Sequence, residues 1–427
     1  MFEFVLFASD SIFLIAGIVL MLLVVVQMSF WVGGSFSSYL AEKKQFNLNL
    51  KILEQKLEAA KIERAVAEGE TGWNGVRTFR VSKLVREAEG VTSIYLTPQD
   101  RRPLPFFRPG QFLTFSFDFP DEKKPVIRCY SLSDAPNSEF YRCTIKKVPG
   151  PVDQAELPSG KVSTHVNEKL QEGDLVNVKA PSGSFYLDLN DDRPVILLAG
   201  GIGITPIYSM LASIVKYQPH RRVVVFYGGQ NSSDYALRTE MAGIASKHRN
   251  VHIVNCFSDP LPTDRLGVDF DVHGWVTLDL LKSTLPSNNF NYYLCGPGPF
   301  MSSLVNGLEE WGVAEKLIHF EAFGPASVRK ISKSDLESQD EVTSCKVRFC
   351  KSKVEAEWSP DCESILELAE ESGVELDSGC RAGNCGSCEI GILKGKVRYS
   401  KELGVEPAEG NVISCVSKPD GDVEVDG

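Results

Sequence analysis

No Cys-x-His pair and no helical Glu-x-x-His occurs in the 427 residues. The chain therefore carries neither a Rieske-type ligand pair nor a carboxylate di-iron motif, and any terminal oxidation chemistry lies on another chain. Basic residues are in deficit: 45 Lys and Arg against 56 Asp and Glu give a net charge of −11. Binding to a phosphate backbone needs clustered Lys and Arg, so no nucleic-acid partner is expected. The 11 cysteines are odd in number and mostly scattered, which argues against a disulfide framework in a chain this long. One long apolar run is too little for a polytopic membrane protein. What remains, 43% hydrophobic and 24% charged, is ordinary globular composition, with length enough for roughly two to four domains.

The single run is Ile12 to Val32, twenty-one residues without a charge. At ~1.5 Å per residue it makes a helix of about 32 Å, enough for a hydrocarbon core of ~30 Å. A cleaved signal peptide would begin with a basic stretch, whereas Glu3 and Asp10 come first here. Residues 1–11 hold no Lys or Arg, and Lys43, Lys44 and Lys51 follow the run. The excess of positive charge on the cytoplasmic side predicts a single-pass inner-membrane anchor over residues 1–40. It touches lipid through 12–32 and leaves the rest of the chain in the cytoplasm. Leu50, Leu53, Leu57 and Ala60 then alternate spacings of three and four, which predicts a helical linker over 41–70. That linker serves as a spacer, a short coiled coil or a helix lying on the bilayer.

Residues 71–190 carry short strand patterns such as TFRVSKLV, TSIYLTP, FLTFSFDF and FYRCTIKKV, punctuated by Pro, Gly, Asp and Asn. They predict a small antiparallel β-barrel. Arg128-Cys129-Tyr130-Ser131 puts a cation, a ring and a hydroxyl on one strand, a set that suits an aromatic phosphorylated ligand or an ordinary edge strand. Gly160-Lys161-Val162-Ser163-Thr164 precedes a helical stretch, where free N–H groups offer a phosphate site or a plain N-cap.

Residues 191–325 alternate buried-strand and helix patterns, which predicts a doubly wound α/β domain with its ligand at the carboxyl ends of the strands. Two glycine-rich turns fall at such ends, Gly200-Gly201-Ile202-Gly203-Ile204-Thr205-Pro206 and Cys295-Gly296-Pro297-Gly298-Pro299-Phe300-Met301. Neither is a G-x-G-x-x-G fingerprint, but glycine there lets a diphosphate approach the backbone. Cys295 by itself reads equally as a small buried hydrophobe.

After a linker at 326–343, residues 344–427 hold Cys380-x4-Cys385-x2-Cys388 and then Cys415. This is the ligand spacing of a plant-type [2Fe–2S] cluster. Structural zinc normally uses two C-x2-C-like pairs, and only one is present. Cys345, Cys350 and Cys362 lack the spacing and read as ordinary thiols. Residues 355–377 contain nine acids and no base, either a surface that steers a basic redox partner or a solvated helix face.

With these motifs in hand, residues 73–427 resemble the ferredoxin–NAD(P)H reductase superfamily. The flavin, nicotinamide, [2Fe–2S] order is that of oxygenase reductases such as phthalate dioxygenase reductase and phenylacetyl-CoA epoxidase reductase. The resemblance implies a transmembrane helix, a flavin barrel, a nucleotide α/β domain and a β-grasp ferredoxin domain. Arg128, Cys129, Tyr130 and Ser131 match the R-x-Y-S flavin motif, and Gly160, Lys161, Val162, Ser163 and Thr164 its pyrophosphate element. Thr144, Lys146 and Phe323 join the flavin set. Gly200, Gly201, Gly203, Thr205, Pro206 and Gly228 match the nucleotide side, with Cys295, Gly296, Pro297 and Met301 beside the nicotinamide. Glu321 and Phe323 match the E-x-F end of the nucleotide domain. The catalytic set implied is Ser131, Thr205, Cys295 and Glu321, and the metal set is Cys380, Cys385, Cys388 and Cys415.

FAD is implied rather than FMN by the complete Gly-x-x-Ser element. The donor is NADH or NADPH; Arg238 is a candidate for a 2′-phosphate, whereas the family leans to NADH. The implied acceptor is a protein: an oxygenase, hydroxylase or desaturase component. Two alternatives stand beside it, a subunit of a membrane NADH:quinone-type oxidoreductase and a membrane-tethered redox sensor. The sodium-pumping quinone reductase has a similar anchored flavin subunit, but its cluster precedes the flavin domain.

Overall fold

The computed structural model describes residues 2–67, 72–73, 75–122, 125–150, 159–322, 345–360, 362–379, 381, 383, 386–400, 403 and 407–427. The chain divides into two units, Met1–Glu58 and Ala59–Gly427.

The first unit is dominated by α1 (Phe2–Ala67), a single helix of 66 residues, about 100 Å long at ~1.5 Å per residue. It runs unbroken through both the expected span and the expected linker helix. Leu22, Phe30, Trp31, Phe46, Leu53 and Leu57 are all exposed on it. Among the described residues it is the one helix long and apolar enough to cross a membrane, over Gly17–Leu57.

In the second unit a six-stranded antiparallel sheet comes first. It consists of β1 (Arg77–Ala88), β2 (Val91–Pro98), β3 (Phe112–Phe117), β4 (Val126–Ser131), β5 (Tyr141–Lys146) and β6 (Leu175–Val178), in the order β4-β3-β6-β1-β2-β5. A bridge between Leu132 and Cys143 joins the two edges, and Ser133 N–H donates to Arg142 O at 2.8 Å. Closure into a barrel removes free strand edges. The interior holds Phe79, Ile94, Leu96, Leu113, Phe115 and Ile145, and α2 (Lys161–Glu168) plugs one end through Val162 and Val166.

The next sheet is parallel throughout. Its strands are β7 (Val195–Gly200), β8 (Val223–Gly229), β9 (Val251–Phe257), β10 (Val272–His273), β11 (Asn291–Gly296) and β12 (Ile318–Ala322), in the order β10-β9-β8-β7-β11-β12. Strand β7 shows why an unbroken apolar run is needed at the centre. Val195, Leu197 and Ala199 enter the core under α3 (Ile204–Tyr217). Ile196 and Leu198 enter the opposite core, with α5 (Leu278–Thr284) and α6 (Gly298–Glu310). Between β3's sheet and α3, helix α4 (Arg238–Lys247) flanks the same face. The strand order reverses between β7 and β11, which opens a crevice at their carboxyl ends.

The last 83 residues of the chain, from Cys345, form a small mixed sheet. Strands β13 (Lys346–Phe349), β14 (Val354–Glu357), β15 (Glu389–Lys394), β17 (Asn411–Ile413) and β19 (Val423–Val425) lie in the order β14-β13-β19-β15-β17. β16 (Val397–Tyr399) pairs with β18 (Ser417–Pro419). Helix α7 (Ile365–Glu371) buries Ile365, Leu366, Leu368 and Ala369. Ser364 caps it by accepting from Glu367 N–H at 3.2 Å, while the Glu367 carboxylate accepts from the N–H of Glu363, one residue before the cap, at 2.5 Å.

Candidate active site and cluster loop

The β4 motif alternates faces. Arg128 and Tyr130 share one side of the strand and Cys129 and Ser131 the other, as strand geometry requires. The Tyr130 ring meets Phe115 edge to face at 5.5 Å, and burial pushes its phenol well above the ordinary value. Arg128 is exposed, with Nη1 donating to Ile127 O at 2.7 Å. Ser131 is buried at the end of the strand, and Cys129 Sγ lies 3.4 Å from Thr114 Oγ1.

Around α2 the five matched residues divide their labour. Val162 fills the barrel. Lys161 pairs with Asp121 at 2.6 Å and Glu122 at 2.5 Å. Ser163 Oγ donates to Gly160 O at 2.9 Å and accepts from Val148 N–H at 3.1 Å. Thr164 Oγ1 is buried with no partner among the described residues. A helix start with an unused hydroxyl and orphan N–H groups fits a pyrophosphate. Thr144 is buried on the face of β5 opposite the barrel core, the face that carries Arg142, with its hydroxyl between Ser93 Oγ at 2.7 Å and Ser133 Oγ at 2.8 Å. Lys146 binds Asp234 of the nucleotide domain at 2.9 Å. Phe323 lies outside the described residues.

The two glycine-rich turns pack on each other. A Cβ on Gly203 would overlap the Cys295 carbonyl and lie 2.8 Å from Gly296 N. Gly200, Gly228 and Gly296 end three neighbouring strands, and the Phe300 ring lies over all three. Added Cβ atoms would meet it at 3.1, 3.7 and 2.8 Å. These glycines therefore accommodate protein. Gly201 differs: its φ is +53° and nothing lies within 4 Å of its Cβ position, so it is the glycine with room for a diphosphate. Thr205 is buried and its hydroxyl donates to Ile202 O at 3.1 Å, tying the turn to the start of α3, where Pro206 stands in the first turn. Pro297 precedes α6, and Met301 is buried within it. Arg238 is engaged by Asp269 at 2.6 Å.

Cys295 and Glu321 face each other in register on β11 and β12. Burial holds the Cys295 thiol protonated, well above the ordinary value, with the Glu321 charge adding to the effect. Glu321 Oε2 has no partner among the described residues, and burial pushes its carboxyl up to about 8. A carboxyl raised from about 4.5 keeps its proton in the folded state over a range where the unfolded chain has lost it. Its favourable contribution is intact below pH ~4.5 and declines as pH rises to about 8. Glu321→Gln is accordingly expected to gain stability over the parent as pH rises through that window, with the gap constant above it. Denaturant midpoints at pH 5, 7 and 9 measure this; a gap independent of pH contradicts it.

At the carboxyl terminus, Cys388 and Cys415 come together. Ser414 donates to Cys388 O from its N–H at 3.1 Å and its Oγ at 2.8 Å. Both cysteines lie in one small apolar cluster with Leu366, Ile413 and Val416. Arg381, Gly383 and Gly386 all have positive φ, +53°, +76° and +69°, which curls the intervening loop. Ser387 Oγ is buried without a partner among the described residues, a donor available to a cluster sulfur. Cys380 and Cys385 lie outside the described residues. Two buried cysteines, a curled loop and a spare donor fit a thiolate-held iron–sulfur group.

Three domain families match the chain: an oxidoreductase FAD-binding domain over residues 97–186, an oxidoreductase NAD-binding domain over 197–306 and a 2Fe-2S iron-sulfur cluster binding domain over 335–420. These define an FAD- and NAD(P)H-dependent electron-transfer reductase. The chain carries, in order, the FAD-binding and NAD-binding domains of the ferredoxin–NAD(P)H reductase type and a 2Fe–2S domain. A flavohemoprotein of Halalkalibacterium halodurans is 35% identical over 266 residues, 62% of this chain and 64% of that one. A flavohemoprotein of Rhodopirellula baltica is 39% identical over 255 residues, 60% and 62% of the two chains. The chain thus spans less than two thirds of the length of these relatives. The FAD/NAD-binding domain of nitric oxide dioxygenase from Vibrio cholerae superposes with a TM-score of 0.52 at 29% identity, covering 58% of this chain and 99% of that one. Phthalate dioxygenase reductase shares the fold over 83% of this chain and 98% of its own, with a TM-score of 0.51 at 24% identity.

Sequence reasoning missed Arg142 and the role of Phe300. Arg142 had a visible signal, a cation between the apolar Tyr141 and Cys143 on the strand β5. Phe300 stood inside a recognised motif, but only the packing shows that three strand-ending glycines are shaped to its ring.

Proposed function

We propose that the chain is a membrane-anchored reductase. It takes a hydride from NADH or NADPH onto FAD and delivers single electrons through a [2Fe–2S] cluster to a partner oxygenase, hydroxylase or desaturase. The observation that carries this reading is the order of the three matched domains, together with a fold shared with phthalate dioxygenase reductase over 83% of the chain. That protein is described as a modular structure for electron transfer from pyridine nucleotides to [2Fe–2S].

Bound flavin and cluster supply the redox chemistry, turning one two-electron donor into single-electron deliveries. The chain's own residues position and shield. Arg128 and the start of α2 would offset the charge of the flavin pyrophosphate, with the Thr164 hydroxyl as a further donor, and Tyr130 and Ser131 would hold the ring. Gly201 and the first turn of α3 receive the nucleotide diphosphate, while Thr205 fixes that turn. Cys295 and Glu321, both holding their protons, wall the nicotinamide pocket without placing a charge there. Cys380, Cys385, Cys388 and Cys415 hold the irons.

The apolar run at 12–32, the lysines that follow it and the absence of basic residues before it support an inner-membrane anchor with the reductase in the cytoplasm. A chain starting at Gly72 is expected to be soluble and coloured, and to reduce ferricyanide with NADH at the parent's rate. Activity and flavin-to-iron ratios measured on both forms test this. A truncated form that loses flavin or iron contradicts the modular reading, and one that still sediments with membranes contradicts the anchor. Affinity purification of the full chain from membranes is expected to bring down an oxygenase-type iron protein.

A further inference from the structure

The flavin and nicotinamide elements sit on different domains, so the seam between the domains sets how closely the two rings meet. Hydride transfer needs reacting atoms roughly 3–3.5 Å apart and aligned. The centre of that seam is Arg142 on β5, whose side chain is only 2% exposed. Its Nε donates to Ser133 O at 2.9 Å, and Nη2 reaches the same carbonyl. Its Nη1 donates to Glu240 on α4 at 2.6 Å and to the Tyr95 hydroxyl at 3.3 Å. Asp134 lies 3.7 Å from Nε, and the guanidinium stacks 5.0 Å from the Tyr208 ring of α3.

The same short loop is held from the other side. Ser209 Oγ donates to Asp134 O at 2.7 Å, and the Tyr217 hydroxyl to Pro136 O at 2.9 Å. Met210 packs against Gly110, where an added Cβ would lie 2.6 Å from its methyl group. At the rim, Lys146 pairs with Asp234 at 2.9 Å and Glu89 N–H donates to Ser233 O at 3.0 Å. The connection between the two ligand sites is thus very short. Ser133 is two residues beyond Ser131 of the flavin motif, and Ser209 is one helical turn beyond Thr205 of the nucleotide turn.

We propose that Arg142, gripped by Glu240 and Asp134, is a positioning residue that fixes the nucleotide turn against the flavin strand. This rests on the reading that hydride passes between a nicotinamide on one domain and a flavin on the other. A buried cation is a strong clamp because it cannot lose one partner without stranding a charge. Burial disfavours its charge, and Asp134 and Glu240 more than offset that, so its pKa is raised.

The test uses the full chain loaded with flavin and iron, with Glu240→Gln and Arg142→Lys as single variants. The double variant Arg142→Met/Glu240→Gln replaces the buried cation by an apolar chain and its partly exposed partner by a neutral one, so that a folding failure of either single variant does not end the experiment. Flavin content, KM for NADH, the rate of flavin reduction at saturating NADH, and amide exchange across residues 133–136 and 204–217 are read together. Expected are unchanged flavin content and a KM within about twofold, with flavin reduction slowed about 10- to 100-fold, the scale of a ~1 Å misplacement. Exchange should rise in those two segments and not in β7 or β8, and Arg142→Lys should recover part of the rate. The proposal is overturned if a folded variant reduces flavin at the parent's rate, or if flavin content, KM and protection in all segments fall together. Should the parent itself fail to reduce flavin with NADH, the functional reading is lost, and the exchange comparison, which needs no turnover, still decides whether the pair clamps the domains.

Discussion

Cys388→Ser is expected to remove the iron–sulfur cluster while leaving flavin reduction by NADH intact. Cys388 is buried beside Cys415 at the point where Ser414 ties two segments together, and a serine oxygen is a poor substitute for a soft thiolate at iron. Electron delivery to a protein acceptor should fall by about 100-fold or more, equivalent to ~2.7 kcal/mol in the barrier. Ferricyanide reduction should persist, because a small oxidant reaches the flavin directly. Iron content, the visible spectrum and the two acceptor assays measure this. Equal loss of both activities would place the cluster upstream of the flavin and break the proposed order.

Gly203→Ala should be the most damaging conservative change in the nucleotide domain. The added methyl group would press on the Cys295 carbonyl and Gly296 N, both backbone, so no side chain can rotate aside. Overpacking of this kind costs about 1–3 kcal/mol and occasionally more. The two turns would separate, and nucleotide binding should weaken much more than flavin content. Gly243→Ala is the control: it lies on α4, away from both turns, nothing lies within 4 Å of its Cβ position and its φ is not left-handed. KM for NADH, flavin occupancy and thermal midpoints for both variants measure the contrast. If Gly203→Ala binds NADH as the parent does, the turns do not shape the pocket together.

Strands such as Val195–Gly200 and Val223–Gly229 were legible because a central parallel strand must be apolar on both faces, which leaves an uninterrupted run. The apolar half of α1 was legible from its long uncharged run, although its continuity was not, since Gly33-Gly34 and the serines after them read as a break that the helix passes through. The motifs name the glycine-rich turns but not the residues that pack against them. Gly200, Gly228 and Gly296 resemble ligand-binding glycines, yet the space above them belongs to Phe300. Thr144 and Lys146 are held on the outer face of β5 by partners far away in sequence, Ser93 and Asp234. Arg142 depends on Glu240, ninety-eight residues later, a pairing that no local pattern encodes.

Anaerobic mixing of the full chain with NADH, followed by stopped-flow absorbance and freeze-quench paramagnetic resonance, tests the central claim most directly. Flavin absorbance should bleach first. A rhombic signal from a singly reduced two-iron centre should then grow at a rate no faster than that bleaching. Flavin bleaching with no such signal, or zinc in place of iron on elemental analysis, would contradict the account.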